Sequence, residues 1–143
     1  MEKSEMKKIM VRDLLQLCEE YLDSSKDALA IQRVRMAIDA AYNAAELAAK
    51  ALILLEQDDV PGSHGGVVNI FSQIYIKTGK IEKGIGRTLH AALKLRNEAR
   101  YRPDMAPIPE NAGFVIDLAE QLLKIASDAT LTLDVSLTGT GLT

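Results

Sequence analysis

Apolar residues recur at spacings of three and four along most of this chain, the pattern of amphipathic helices. Met6, Ile9, Met10, Leu14, Leu17, Cys18 and Tyr21 share one face of a predicted first helix over 4–22. Asp23-Ser24-Ser25 reads as its end, with Ser24 or Ser25 placed to cap the next helix. A second helix is predicted from about 27 to about 57, long for a small domain at about 1.5 Å per residue. From Ala41 to Leu55 it is apolar almost all round, which predicts the central, most buried helix. Pro61 and Gly62 break the chain after it, and Ser63 is a plausible N-cap for a short amphipathic helix over roughly 66–78. After Thr78-Gly79-Lys80, a long helix is predicted over 82–101, despite Gly84 and Gly86. Pro103, Pro107 and Pro109 predict an extended connection, and the last helix runs over about 110–128. The predicted fold is all-α, an up-and-down bundle of four to five helices over residues 1–129. Leu131, Leu133, Val135 and Leu137 then alternate with polar residues, so 130–143 reads as a non-helical tail, extended or mobile.

Two interruptions of the apolar pattern carry the candidate chemistry. On a wheel that sets Ile85 at zero, Leu89, Ala92, Leu93 and Ala99 all fall within about 80° of it, and Arg96 falls inside their stripe. A guanidinium cannot shed its proton to escape burial, so it needs a carboxylate, a phosphate or a wet cleft. Either Arg96 snorkels out or pairs with a core acid, or it waits for a phosphate or a partner chain. On the second helix a narrow polar stripe of Asp39, Asn43, Glu46 and Lys50 survives. It either faces water or answers the arginines of the later helix. Tyr42 beside it reads as packing.

The net charge of -3 hides an asymmetry. From Lys77 to Arg102 the chain carries +6, leaving -9 on the rest. The basic segment suits an acidic ligand or partner, unless the acidic helices of the same bundle neutralise it. One cysteine excludes an internal disulfide, and Cys18 reads as an inert buried thiol. No apolar run is long enough to span a bilayer and no signal peptide is legible, so a cytoplasmic protein is expected. No metal-ligand spacing, no cofactor motif and no nucleophile–base pair can be read. His64-Gly65-Gly66 at a helix start offers amides to a phosphate, with His64 beside them, although the glycines complete no phosphate-loop motif.

Four stretches in register resemble a HEPN-domain protein of the small stand-alone kind: Ala41 to Leu52, Ser63 to Val67, Lys77 to Ile81 and Leu95 to Tyr101. The resemblance covers roughly residues 10–128 and implies a helical bundle, usually dimeric, of the kind encoded beside a minimal nucleotidyltransferase. Active members of the family are metal-independent ribonucleases with an arginine, a polar residue and, after a few spacers, a histidine at a dimer cleft. Arg96 and Asn97 match the first half of that motif, but Tyr101 stands where the histidine is expected. Tyrosine, with a pKa of about 10, is a poor base near neutrality. In the second helix, Asn43 and Glu46 stand where aromatic residues are expected and Leu47 where a histidine is.

Three functions are expected on these grounds. The first is a nucleotide- or partner-binding module, the homodimeric partner of a nucleotidyltransferase in a toxin–antitoxin-like pair. Arg96 and Arg100 are then the phosphate forks, His64 assists, and Asp39, Asn43 and Glu46 support them. A variant makes Tyr101 the hydroxyl that the partner adenylylates. The second is a metal-independent RNA endonuclease using Arg96, Asn97 and Tyr101, for which only His64 and His90 titrate near neutrality. His90 lies on a different face of the helix from Arg96. The third is a structural dimer with Arg96 in a buried ion pair to Glu46 or Asp39.

Overall fold

The computed structural model describes residues 2–138, and the described chain is an all-α bundle. The helices are α1 (Lys3–Ala30), α2 (Val34–Glu56), α3 (His64–Phe71), α4 (Lys83–Tyr101) and α5 (Pro109–Thr138). A π-helical turn, Ser72–Ile76, extends α3. The central element is α2, which packs against each of the other four helices. Its alanines make that possible. Ala37, Ala41, Ala44, Ala45, Ala48, Ala49 and Ala51 are all fully buried. Short side chains on every face let four neighbours approach one backbone, and alanine costs nothing in helix propensity.

The first chain reversal is not where the serines suggest. Asp23-Ser24-Ser25 lies inside α1, which continues to Ala30, and α2 begins at Val34. Ser25 is fully buried, and its hydroxyl donates to the Ala37 carbonyl at 2.8 Å. A polar side chain satisfied across a helix pair has no reason to break its own helix. The reversal falls instead at Gln32, whose φ of 61° is left-handed. The Gln32 amide donates to the Leu29 carbonyl at 2.9 Å and the Arg33 amide to the Ala28 carbonyl at 2.8 Å. This is a Schellman ending, with glutamine in the place glycine usually holds.

The buried line of α1 also differs from the expected face. Val11, Leu15, Cys18, Leu22 and Ser25 are buried. Met6, Ile9, Met10, Leu17 and Tyr21 are exposed instead, leaving a second apolar face uncovered. The helix expected over 66–78 starts at His64, where Ser63 accepts a hydrogen bond from the Gly66 amide at 3.0 Å, and turns π-helical after Phe71. At the far end, α5 runs past the expected stop near 128 and through the whole alternating stretch, to Thr138. Threonine hydroxyls ease this: Thr130 and Thr132 donate to the carbonyls of Ala126 and Asp128 one turn back. The rest of the expected tail, residues 139–143, lies outside the described residues. No helix among the described residues is long and apolar enough to cross a membrane.

Candidate functional site

The polar stripe of α2 does not face open water. It lies against the C-terminal half of α4 and the start of α3, and the expected site residues meet there. Arg96 is buried, only 7% exposed. Its Nε lies 3.4 Å from Asp39 Oδ1, close enough for charge attraction but without hydrogen-bond geometry. One terminal nitrogen donates to Asn97 Oδ1 at 2.9 Å. Asp39 is shared: Arg100 donates to its two oxygens at 3.2 and 3.4 Å. That contact and the Asp39 charge raise the Arg100 pKa further. The Tyr101 ring lies 5.9 Å from the Arg96 guanidinium carbon and 5.8 Å from that of Arg100, within cation–π range.

Glu46 answers other groups, not Arg96. It is buried, and its Oε1 accepts from the Tyr42 hydroxyl at 3.2 Å and meets His64 Nδ1 at 2.7 Å. Lys50 lies 3.5 Å from the other oxygen. An ionised Glu46 can only accept, so it places a proton on His64 Nδ1 and leaves Nε2 as the free lone pair of the neutral ring. The His64 ring stands edge-on to Tyr42, with centroids 6.0 Å apart. Burial pushes the Tyr42 hydroxyl pKa far up, the Glu46 charge adds to it, and the Arg96 charge pulls it partly back. Tyr42 therefore belongs with the Glu46–His64 pair, and the Arg96 charge is near enough to act on its hydroxyl. Its role was missed by reading it as packing, although a tyrosine one turn before a buried glutamate is a legible signal. Asn43 lies half-buried between Asp39 and Glu46 on the same face. His90 is exposed on another face of α4 and does not join the group.

Arg35 is the second residue that sequence reasoning missed. Its guanidinium donates to the carbonyls of Ala99 at 2.6 Å, Arg102 at 3.2 Å and Pro103 at 3.3 Å, and to that of Met105. The end of α4 and the proline-rich connection are thereby tied to α2, which fixes where Arg96 and Arg100 point. The available signal was spacing: Arg35 is one turn before Asp39 on the same helix. A depression of about 580 Å³ opens beside this clamp, lined by Arg35, Met36, Asp39, Ala99, Arg100 and Pro103.

Residues 11–129 match the model of the HEPN domain. The chain belongs to the HEPN domain family. A candidate toxin of Methanocaldococcus jannaschii is 32% identical to it over 113 residues, which covers 79% of this chain and 83% of that protein. The HEPN match takes in every residue of the α2–α3–α4 cluster. It begins inside α1 and ends inside α5, so the last described turns of α5 lie beyond it. Within this HEPN bundle the arginine of the expected motif is buried and anchored, and Tyr101 is exposed at its rim. Among the described residues no group of three or more His, Cys, Asp or Glu is placed to hold a metal ion.

Proposed function

We propose that this HEPN protein is the toxin-like half of a two-protein pair, and that its Arg96–Arg100 cleft receives a phosphate of RNA or of a nucleotide. The observation that carries this is the buried Arg96, whose Nε–H has no acceptor and whose acid is shared with a second arginine. A buried donor without a partner costs free energy, which an incoming phosphate oxygen recovers. The toxin-like relative supports the setting. A minimal nucleotidyltransferase is the proposed partner, and the exposed Tyr101 is the hydroxyl it would modify: Tyr101 Oη attacks the α-phosphorus of a nucleoside triphosphate and pyrophosphate leaves. A second copy of the chain would close the cleft from one side. The uncovered apolar face of α1 supports this, because the groove beside it reaches Lys50, the neighbour of Glu46.

A second reading, metal-independent RNA cleavage, is favoured by the Glu46–His64 pair. Cleavage needs a base for the 2′-hydroxyl, an acid for the departing 5′-oxygen and a cation for the charge on the phosphate. Tyr101 is a poor base, but His64, held by Glu46 on the other side of Tyr42, has a free ring nitrogen to take the 2′-hydroxyl proton. Arg96 is the cation, and the phenol of Tyr101, a group that keeps its proton near neutrality, is the acid for the departing 5′-oxygen.

Both readings are tested by incubating RNA with the full chain in EDTA, beside Arg96→Ala. Cleavage in EDTA that falls at least about tenfold in the variant supports the enzyme reading, since removing one charge-stabilising group typically costs about 10²–10³. No cleavage by wild type, with nucleotide or RNA binding lost in Arg96→Ala, leaves the binding module. Neither cleavage nor Arg96-dependent binding overturns both.

A further inference from the structure

The outer face of α4 carries a second feature, of which the cleft uses only the last two residues, Asn97 and Tyr101. Lys83, Arg87, His90, Lys94, Asn97 and Tyr101 succeed one another at spacings of four, three, four, three and four. Six residues at that rhythm lie on one face of a helix. All six are exposed, whereas the opposite face of α4 buries Ile85, Leu89, Ala92, Arg96 and Ala99. The stripe contains no acid, and Lys83, Arg87 and Lys94 make no ion pair among the described residues. Glu98 borders it without pairing to Lys94. Lys77, from the turn after the π-helical segment, faces the stripe across a groove of about 440 Å³ that Lys83, Arg87 and His90 also line. At about 1.5 Å per residue the stripe is about 27 Å long.

We infer that this face is a track for single-stranded RNA, leading along α4 into the Arg96 cleft. Unpaired cations in a row fit a row of phosphates, and they lose little by binding because no internal ion pair must break. What favours a nucleic acid over an acidic protein is the end of the row. Tyr101 is 66% exposed and is backed by two guanidinium groups, which makes it a platform on which an unpaired base stacks. An acidic peptide has no use for that ring. Lys77 to Arg102 carries +6 and the rest of the chain -9, so it is this segment, with the stripe on it, whose net charge attracts a polyanion. The choice of RNA rests on the cleft reading above, whereas the track itself rests on the stripe.

The test is binding of a fluorescein-labelled 12-nucleotide pyrimidine RNA to the full chain at several salt concentrations. Three further proteins are compared: a triple variant Lys83→Gln, Arg87→Gln, Lys94→Gln, then Tyr101→Ala, and Arg96→Ala. All three glutamine positions are exposed, and circular dichroism confirms that the triple variant stays folded. For wild type, three to four neutralised phosphates give a slope of log affinity against log salt of about -2 to -3, and the triple variant loses about 2 of it. Affinity at low salt falls at least about tenfold in the triple variant, and by about tenfold in Tyr101→Ala through lost stacking. Arg96→Ala weakens binding but lowers the slope by only about 0.7, one phosphate's worth, against about 2 in the triple variant. The track is overturned if the triple variant binds with unchanged affinity and slope. It is also overturned if polyglutamate of matched charge displaces the RNA as well as unlabelled RNA does, which would make the face a site for acidic protein. Loss of binding confined to Arg96→Ala removes the track and leaves the cleft reading standing.

Discussion

Arg96 is poorly satisfied for a buried cation. Its charge is met by one carboxylate at 3.4 Å, and Arg100 already claims both oxygens of that carboxylate. A structural ion pair would be built otherwise, with the guanidinium fork seated bidentate on its acid. Removing Arg96 leaves Asp39 with a partner, so the usual penalty for orphaning a buried charge does not apply. Arg96→Met fills similar space with apolar atoms. The expected outcome is an unchanged or higher melting temperature, since replacing a buried ion by a hydrophobe is often neutral or stabilising by about 1–4 kcal/mol. Phosphate binding is lost in the same protein. Calorimetry beside a nucleotide-binding titration reads both. A stability loss of about 3–5 kcal/mol would instead make Arg96 a structural residue.

At the scale of elements, the instructive case is the α1–α2 corner. Two serines after an aspartate look like a helix end, and Gln32 looks like ordinary helix. Burial reverses both, because Ser25 finds a carbonyl on α2 and Gln32 takes the left-handed position. Neither contact can be read from local spacing, since each depends on which helix lies opposite. The same reason hid the buried face of α1, where two apolar stripes compete and only packing against α2 chooses Val11, Leu15, Cys18 and Leu22. By contrast, α4 was legible almost to the residue, because its single apolar stripe and the prolines after it leave no choice. The site obeyed the same rule. Asp39 and Arg96 stood out as polar residues interrupting apolar faces, whereas Arg35, whose partners are backbone carbonyls of another element, gave no such sign. Gln32→Gly relieves the left-handed strain, worth about 1 kcal/mol, at the cost of a more flexible unfolded chain. A net gain of up to about 1 kcal/mol in urea unfolding is expected, and Gln32→Val should lose at least as much. Equal stability of all three would mean that the corner does not hold its Schellman geometry in solution.

At the scale of the whole molecule, three weak acids are folded in as neutral groups. Burial pushes the Cys18 thiol up to about 12, and burial also raises the hydroxyls of Tyr42 and Tyr75, with the nearby Glu46 and Glu56 charges adding to the latter two. Each is therefore still protonated in the folded chain at a pH where the unfolded chain has begun to release its proton. The folded state binds more protons, so stability falls as pH rises, starting near the unfolded values of about 8.5 for cysteine and about 10 for tyrosine. Each group contributes up to about 1.4 kcal/mol per pH unit, and Cys18 stops contributing once pH passes about 12. Urea unfolding between pH 8 and 11 should accordingly show a stability that declines and steepens above pH 10. Deprotonation of surface lysines also lowers stability in that range, and Tyr42→Phe separates the two causes. The variant is less stable at pH 8, because Glu46 loses a donor, but its decline above pH 10 is shallower by about one proton's worth. An unchanged slope would mean that the Tyr42 phenol ionises in the folded protein as it does in water. The Glu46 pocket would then be open to solvent, and the buried hydrogen bond from Tyr42 to Glu46 would not hold in solution.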